Sequence, residues 1–229
     1  MKPYYEQDGI TIYYGDCRDV LPTLAASAVQ VVLTDPPFFM PAVHYAGRAR
    51  YPRSWSDTSI LAAFWGVILD ECVRTLTPTG HLFTFCNGDS YPVFYPEMYR
   101  RFDYLKSLVW DKGSIGMGRV WRNQHELVIA ARWKDSVFVD GVTTRADVIR
   151  TPVTPPNERL HPVEKPVALL RWLLEPTLIT GGLVLDPFMG AGPTLICARS
   201  MGASAIGIEG EERYCEIAAK RLTQGVFSI

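Results

Sequence analysis

Cysteine is scarce and unpaired in pattern. Cys17, Cys72, Cys86, Cys197 and Cys215 are odd in number, scattered, and without C-x-x-C spacing. That excludes a disulfide framework or a cysteine metal site and fits reduced structural thiols in a cytosol. The four histidines, His44, His81, His125 and His161, are too dispersed to propose a metal centre. No apolar run reaches the roughly 18 residues of a membrane span, and no charged-then-apolar leader is present, so a cytoplasmic location is expected. Charge of one sign is lacking too: 23 basic against 24 acidic side chains leave a net charge of −1. A uniform positive field for nucleic acid is thereby excluded, though not local basic patches. Neither an internal repeat nor a low-complexity tail interrupts the chain. What remains is 229 residues, 48% of them hydrophobic, enough to bury one substantial α/β core.

Within that core the most informative segment is Asp35-Pro36-Pro37-Phe38, which ends the apolar run Val29–Thr34. A β-branched run of this length reads as a buried parallel strand. The two prolines fix φ and lack donors, so the turn is rigid and its carbonyls point outward. The Asp35 carboxylate and Phe38 ring are then presented at the carboxyl end of the strand, where open α/β sheets bind ligands. A carboxylate and a carbonyl can each accept a hydrogen bond from an exocyclic amine, and the ring can stack on a planar base.

A second segment runs from Gly182 to Asp186 and on through Pro187-Phe188-Met189-Gly190-Ala191-Gly192-Pro193-Thr194. It reads as a strand with an acid at its tip, a Gly-x-Gly turn and a helix entered through proline. Gly202 is a plausible helix stop. The strand Ser204–Glu209 follows and ends in another acid, about 20 residues beyond the first glycine, where a carboxylate can bind ribose hydroxyls. Arg213, Tyr214, Ile217, Ala218 and Leu222 then mark an amphipathic helix. The fingerprint is not the dinucleotide one. Leu195 stands where a third glycine would be, so close helix–strand packing of the dehydrogenase type is not encoded. Asp186 before the turn and Pro193 within it disfavour an anionic pyrophosphate and suit a cofactor cationic at its reactive end.

A third segment, His161-Pro162-Val163-Glu164-Lys165-Pro166, leads into a helical pattern whose expected buried stripe is Val167, Leu170 and Leu174. Lys165 stands at its entry, free to meet a carboxylate. Elsewhere Leu61, Phe64, Trp65, Ile68, Leu69, Cys72, Val73 and Leu76 keep a helical period behind Asp57 or Thr58 as N-cap, and read as core. His81–Cys86 reads as the next strand, and the proline-rich stretch 151–157 as irregular linker.

These motifs, in this order, resemble the β-group amino-methyltransferases of DNA, over about residues 10–222. Gly15-Asp16 resembles the family's short acidic turn, and Trp110-Asp111-Lys112 and His125–Ala130 its later catalytic-half strands. Two departures are Phe38 for the commoner Tyr, and Ala191 with Pro193 where Ser and Thr are frequent. The resemblance implies a single α/β domain of the Rossmann-like methyltransferase fold. Its sheet would be mostly parallel with one antiparallel strand and helices on both faces, circularly ordered with the cofactor half C-terminal. Residues 10–135 would form the catalytic half, 136–160 a linker or target-recognition segment, and 161–222 the cofactor half.

The same resemblance implies S-adenosylmethionine as cofactor, held by Asp16, Cys17, His161, Lys165, Pro166, Asp186, Pro187, Phe188, Gly190, Gly192, Thr194 and Glu209. Glu209 would take the ribose, Asp16 the adenine amine and Lys165 the methionine carboxylate. Asp35, Pro36, Pro37 and Phe38 would hold a flipped adenine for methylation at N6, in a restriction-modification setting and without metal. Cytosine N4 is the alternative, although the family tends to carry Ser at the first motif position there. An inactive DNA- or cofactor-binding subunit and a nicotinamide dehydrogenase are others; the last leaves residues 35–38 without a role. Double-stranded DNA is the expected partner, with a homodimer allowed. The loops 39–55 (Arg48, Arg50, Arg53) and 112–122 (Lys112, Arg119, Arg122) hold bases without acids, interleaved with Tyr45, Tyr51 and Trp55 or loosened by glycines. That composition suits phosphate contact and base capture.

Overall fold

The computed structural model describes residues 1–38, 57–116, 120–142, 144–155, 157–158, 160–161 and 164–224. In chain order it runs β1 (Tyr5–Gln7), β2 (Ile10–Tyr14), α1 (Cys17–Val20), β3 (Val29–Thr34), α2 (Thr58–Thr75), β4 (Leu76–Cys86) and α3 (Tyr91–Tyr99). It continues with β5 (Tyr104–Asp111), β6 (His125–Arg132), β7 (Val148–Arg150), α4 (Val167–Leu174), β8 (Leu183–Asp186), α5 (Pro193–Ser200), β9 (Ser204–Glu209) and α6 (Glu212–Thr223). All these strands join one sheet in the order β1-β2-β9-β8-β3-β4-β6-β5-β7. β6 runs against β4 and β5, as the single antiparallel strand expected, but β1 also opposes β2. The extra reversal comes from the tight Asp8-Gly9 turn, both residues at positive φ, which folds three residues back onto β2.

Alternation along the strands sorts the core into two layers. Val31, Leu33, Phe83, Phe85, Val184 and Ala205 face one side with α4, α5 and α6, while Val32, Leu82, Leu185 and Ile208 face α1, α2 and α3 on the other. β3 is buried along its whole length, which explains why its sequence shows no polar alternation. Helix α2 starts at Asp57, whose carboxylate caps the Ser59 and Ile60 amides, and buries Leu61, Trp65, Ile68, Leu69 and Cys72 as the spacing predicts. In α4 the buried set is Leu169, Leu170, Leu173 and Leu174, and Val167 is only half-buried. The stripe is turned because Leu169 and Leu173 pack into the layer shared with α5. β4 begins five residues before His81. Helix α3 and strands β1 and β7 have no counterpart in the sequence reading. β7 lies within the expected linker and pairs parallel with β5. Among the described residues no helix is long and apolar enough to cross a membrane.

The chain leaves β3 for β4 on one side through α2, and leaves β8 for β9 on the other through α5. Adjacent β3 and β8 therefore form a topological switch point, with a crevice at their carboxyl ends. Close helix–sheet packing is achieved here with the residue sizes reversed. Leu195 of α5 is the bulky partner, and the glycine is Gly207 of β9, where a Cβ would lie 2.9 Å from both Leu195 methyls and 2.4 Å from Met189 Sδ. Gly207→Val should accordingly destabilise the fold by about 1–3 kcal/mol through overpacking. The midpoint of urea denaturation reads this, and an unchanged midpoint would show that α5 can lift off β9 without cost.

Candidate active site

The crevice gathers acids from neighbouring strand ends. Asp35 follows β3, Asp186 closes β8, Glu209 closes β9, and Asp16 lies just beyond β2. Asp35, Phe38, Lys165, Asp186, Gly190 and Glu209 are among the walls of a cavity of about 270 Å³, which His161 and Thr194 also line. A second cavity of about 300 Å³, lined by Asp16, Cys17, Arg18, Phe64, Pro187 and Phe188, shares Pro37, Phe188 and Glu209 with the first. The two form one elongated trough across four strand ends. A larger cavity of about 690 Å³ lies towards the other end of β5, between Tyr104, Arg132, Phe138 and Trp172, away from these acids.

The turn after β8 is built as its glycines suggest. Gly190 and Gly192 sit at φ +52° and +75°. The Gly190 amide donates to Glu209 Oε2 at 3.0 Å, and the Glu211 amide to Oε1 at 2.8 Å. Burial pushes the Glu209 pKa up even so. Gly192 serves packing rather than the trough: a Cβ there would meet Ala218 of α6 at 2.9 Å. Pro166 is the N-cap of α4. Asp16 caps α1 through the Arg18 amide and pairs with the Arg18 guanidinium at 2.6 Å, which holds its pKa below the usual range. Cys17 is buried and its thiol is pushed up to about 12, so it acts as wall and not nucleophile. The His161 ring stands edge-on to Tyr214 at 4.4 Å, and burial lowers its pKa.

Lys165 is buried, and the carboxylates it meets are the protein's own. Its Nζ lies 2.6 Å from Asp35 Oδ2 and 3.1 Å from Glu126 Oε2. Burial alone would push this ammonium down, but the two carboxylates outweigh it and raise the pKa above its ordinary value. Lys112 is turned inward onto Glu126 Oε1 at 3.3 Å, not outward towards a phosphate. Arg122 is exposed, and its Nε donates to the Gly116 carbonyl at 2.5 Å. Arg48, Arg50, Arg53 and Arg119 lie outside the described residues.

Three contributors were not singled out as site residues. Glu126 is an acid inside a strand of apolar neighbours, a signal that could have been read. Phe64 was assigned to the core stripe of α2 but stands at its edge, tilted against Phe188 with centroids 6.1 Å apart. Arg18 could be placed only through its pairing with Asp16.

A family model described as DNA methylase matches residues 120–220. Type II methyltransferase M.HinfI of Haemophilus influenzae is 26% identical across 93% of this chain and 68% of its own length. Type II methyltransferase M2.LlaDCHI of Lactococcus lactis subsp. cremoris is 25% identical across 98% and 93%. Together these matches support a DNA amino-methyltransferase of the N6/N4 family. Among solved structures, the cytosine-N4-specific PvuII DNA methyltransferase shares the fold with TM-score 0.80 at 15% identity, covering 99% of this chain and 91% of that one. The M1.HpyAVI complex with SAM gives 0.71 at 22%, covering 93% and 98%.

The acid of β8 is costly to ionise. Burial pushes Asp186 to about 7, against the Phe188 amide that donates to its Oδ1 at 3.1 Å. A raised folded-state pKa means that the folded form keeps its proton where the unfolded form has lost it. The group therefore favours folding at low pH, and that contribution is lost as pH rises from the ordinary carboxylate range through about 7. Asp186→Asn should remove the loss. Without cofactor, the variant's denaturation midpoint should gain on the parent's between pH 5 and pH 8. A constant difference would mean that Asp186 is ionised at both.

Proposed function

We propose that this methyltransferase moves a methyl group from S-adenosylmethionine to N6 of an adenine flipped out of double-stranded DNA. The observation that carries this reading is the state of Asp35. Its Oδ2 is held by Lys165, while its Oδ1 is buried at the wall of the cavity without a hydrogen-bond partner among the described residues. A buried acceptor left open is unfavourable unless a ligand donor completes it. An exocyclic amine is such a donor, and the Pro36 carbonyl can take its second hydrogen. Phe38, half-buried beside them, offers the stacking face.

The trough fits the cofactor's parts. Phe64 and Phe188 can form an aromatic wall for an adenine beside Asp16, Glu209 can meet ribose hydroxyls with its remaining lone pairs, and the turn at Gly190 admits the methionine end near Asp186. When bound, S-adenosylmethionine supplies an electrophilic methyl group. The protein's part is alignment: Asp35 and Pro36 turn the nitrogen lone pair along the line of attack, and the Asp35 charge stabilises the positive charge that develops on nitrogen. The proton lost from nitrogen can pass to Asp35 or to water.

Beside this site the connection from β5 to β6 presents Val120 at 82% and Trp121 at 94% exposure, followed by Arg122. An aromatic ring that exposed suits stacking on an unpaired base, and the arginines of loops 39–55 and 112–122 are assigned to phosphates. Cytosine N4 would use the same geometry, and the fold likeness to the PvuII enzyme keeps it as the second reading. The acid at position 35 favours adenine.

Incubation with methyl-labelled S-adenosylmethionine and DNA, then nucleoside analysis, should show label in N6-methyl-2′-deoxyadenosine. Label in N4-methyl-2′-deoxycytidine would select the second reading, and none in DNA would reject both. Asp35→Ala should slow single-turnover transfer by about 10²–10³-fold, the scale of losing one transition-state partner, with cofactor affinity retained in calorimetry. Burial first, with Glu126 adding to it against Lys165, pushes Asp35 up to about 6. The parent rate should therefore fall on acidification through about pH 6.

A further inference from the structure

The trough accounts for Asp35 and the cofactor residues but leaves Glu126 unexplained. A carboxylate on a central strand is expensive to bury, and this one comes from β6, the antiparallel strand, with apolar Leu127, Val128 and Ile129 beside it in sequence. It sits in a row of alternating sign: Lys112, Glu126, Lys165, Asp35, with gaps of 3.3, 3.1 and 2.6 Å. The row joins three separate pieces of chain, namely β5–β6, the segment before α4 and the turn after β3. Two positive and two negative groups leave it neutral as a unit.

We infer that Glu126 is a positioning residue for methyl transfer, acting through Lys165 to hold the Asp35 carboxylate with Oδ2 engaged and Oδ1 open to the target amine. This rests on the reading of Asp35 as the amine acceptor. An isolated ammonium beside a buried carboxylate would settle between both oxygens, where a point charge gains most. Glu126 on the far side of Lys165 draws it off that position. Lys112 occupies Oε1 of Glu126, so the oxygen that faces Lys165 is Oε2. Among the described residues Asp35 Oδ1 has neither an ammonium nor a hydrogen-bond donor, whereas Glu126 Oε2, also without a well-formed hydrogen bond, still faces the Lys165 ammonium at 3.1 Å. Glu126 touches neither base nor cofactor in this scheme.

The charges give the idea a sign. Other groups face the row: Asp186 from β8 and Cys86 from β4 lie near Asp35, and His161 lies near Lys165. None of these changes in the variants below. The Glu126 charge raises the Asp35 pKa and the Lys165 charge lowers it, both behind burial as the largest cause.

The test compares Glu126→Gln, Glu126→Asp and Lys165→Met with the parent in three readouts: single-turnover transfer against pH, Asp35 titration by carboxyl ¹³C NMR, and S-adenosylmethionine affinity by calorimetry. Glu126→Gln should slow transfer at the pH plateau about tenfold or more, as for a displaced charge-assisted hydrogen bond. Its cofactor affinity should be unchanged, and its acid limb and Asp35 titration should move down by about one pH unit. Lys165→Met should move both up. Glu126→Asp should recover part of the rate, and the two Glu126 variants decide the matter if Lys165→Met does not fold. A parent-like plateau in Glu126→Gln, shifts of the same sign in the glutamine and methionine variants, or cofactor affinity falling in step with rate would overturn the inference and leave the row as a structural ion cluster. A parent that labels no DNA would instead overturn the functional reading, while the Asp35 titration would still report whether Glu126 and Lys165 act on it in opposite directions.

Discussion

Everything functional in this molecule hangs on the pairing of β3 with β8. Only Val31 with Val184 and Val32 with Leu185 are in register, yet these two pairs join the strand that leads to Asp35 to the strand that ends in Asp186. They set Asp35 and Asp186 side by side and create the crevice at which the connections diverge. The pairing is tightly specified because both strands are buried on both faces. A slip of one residue would exchange Val31 and Leu33 with Val32 between two differently shaped layers and carry Asp35 to the wrong face. The crowding of acids at the crevice follows from this joint, and so do the raised pKa values, since parallel strands end together and their tips are buried together.

Much of this was legible in the sequence because the informative residues are local. Val29–Thr34 ends in Asp-Pro-Pro, which stops a strand wherever it occurs, and Pro193 with Gly202 brackets α5 at both ends. Ser204–Glu209 and the capped start of α2 were readable for the same reason. The misses share a cause. α3 carries Pro92 and Pro96, which obscure its helical signal, but packing of Phe94 and Met98 under α2 holds it helical. β1 and β7 are three residues each, too short for any period, and exist only through their partners. The α4 stripe was misjudged because Leu-rich helices offer several faces and only the neighbours choose.

Side-chain partnerships were the least readable. Lys165 could be identified as meeting a carboxylate, but whether that carboxylate belongs to a ligand or to the protein depends on β6 lying beside β4, which no spacing encodes. Glu126 is the counterpart: an acid that looks like a misfit in an apolar strand until Lys112 and Lys165 are brought beside it. Gly192 and Leu195 show the same limit from the packing side. A glycine is recognisable, but the surface it makes room for, α6 in one case and in the other a leucine facing Gly207, appears only in three dimensions.

The edge formed by β2 and β9 carries a consequence for how the chain comes to be folded. β2 is synthesised long before β9, and among the described residues its neighbours are the three-residue β1 and β9, the latter joined through five register pairs from Ile10–Ala205 to Tyr14–Glu209. Until that late segment emerges, β2 has an open hydrogen-bonding edge and nowhere to place Ile10 and Ile12. The nascent chain must therefore carry an unpaired apolar strand throughout the interval between the two segments, and its closure bridges every element that lies between them. Such a topology folds slowly for its size. It also moves the natural seam of the domain: a rearranged chain that opens elsewhere and links α6 directly to β1 would bring β2 and β9 together in one short hop.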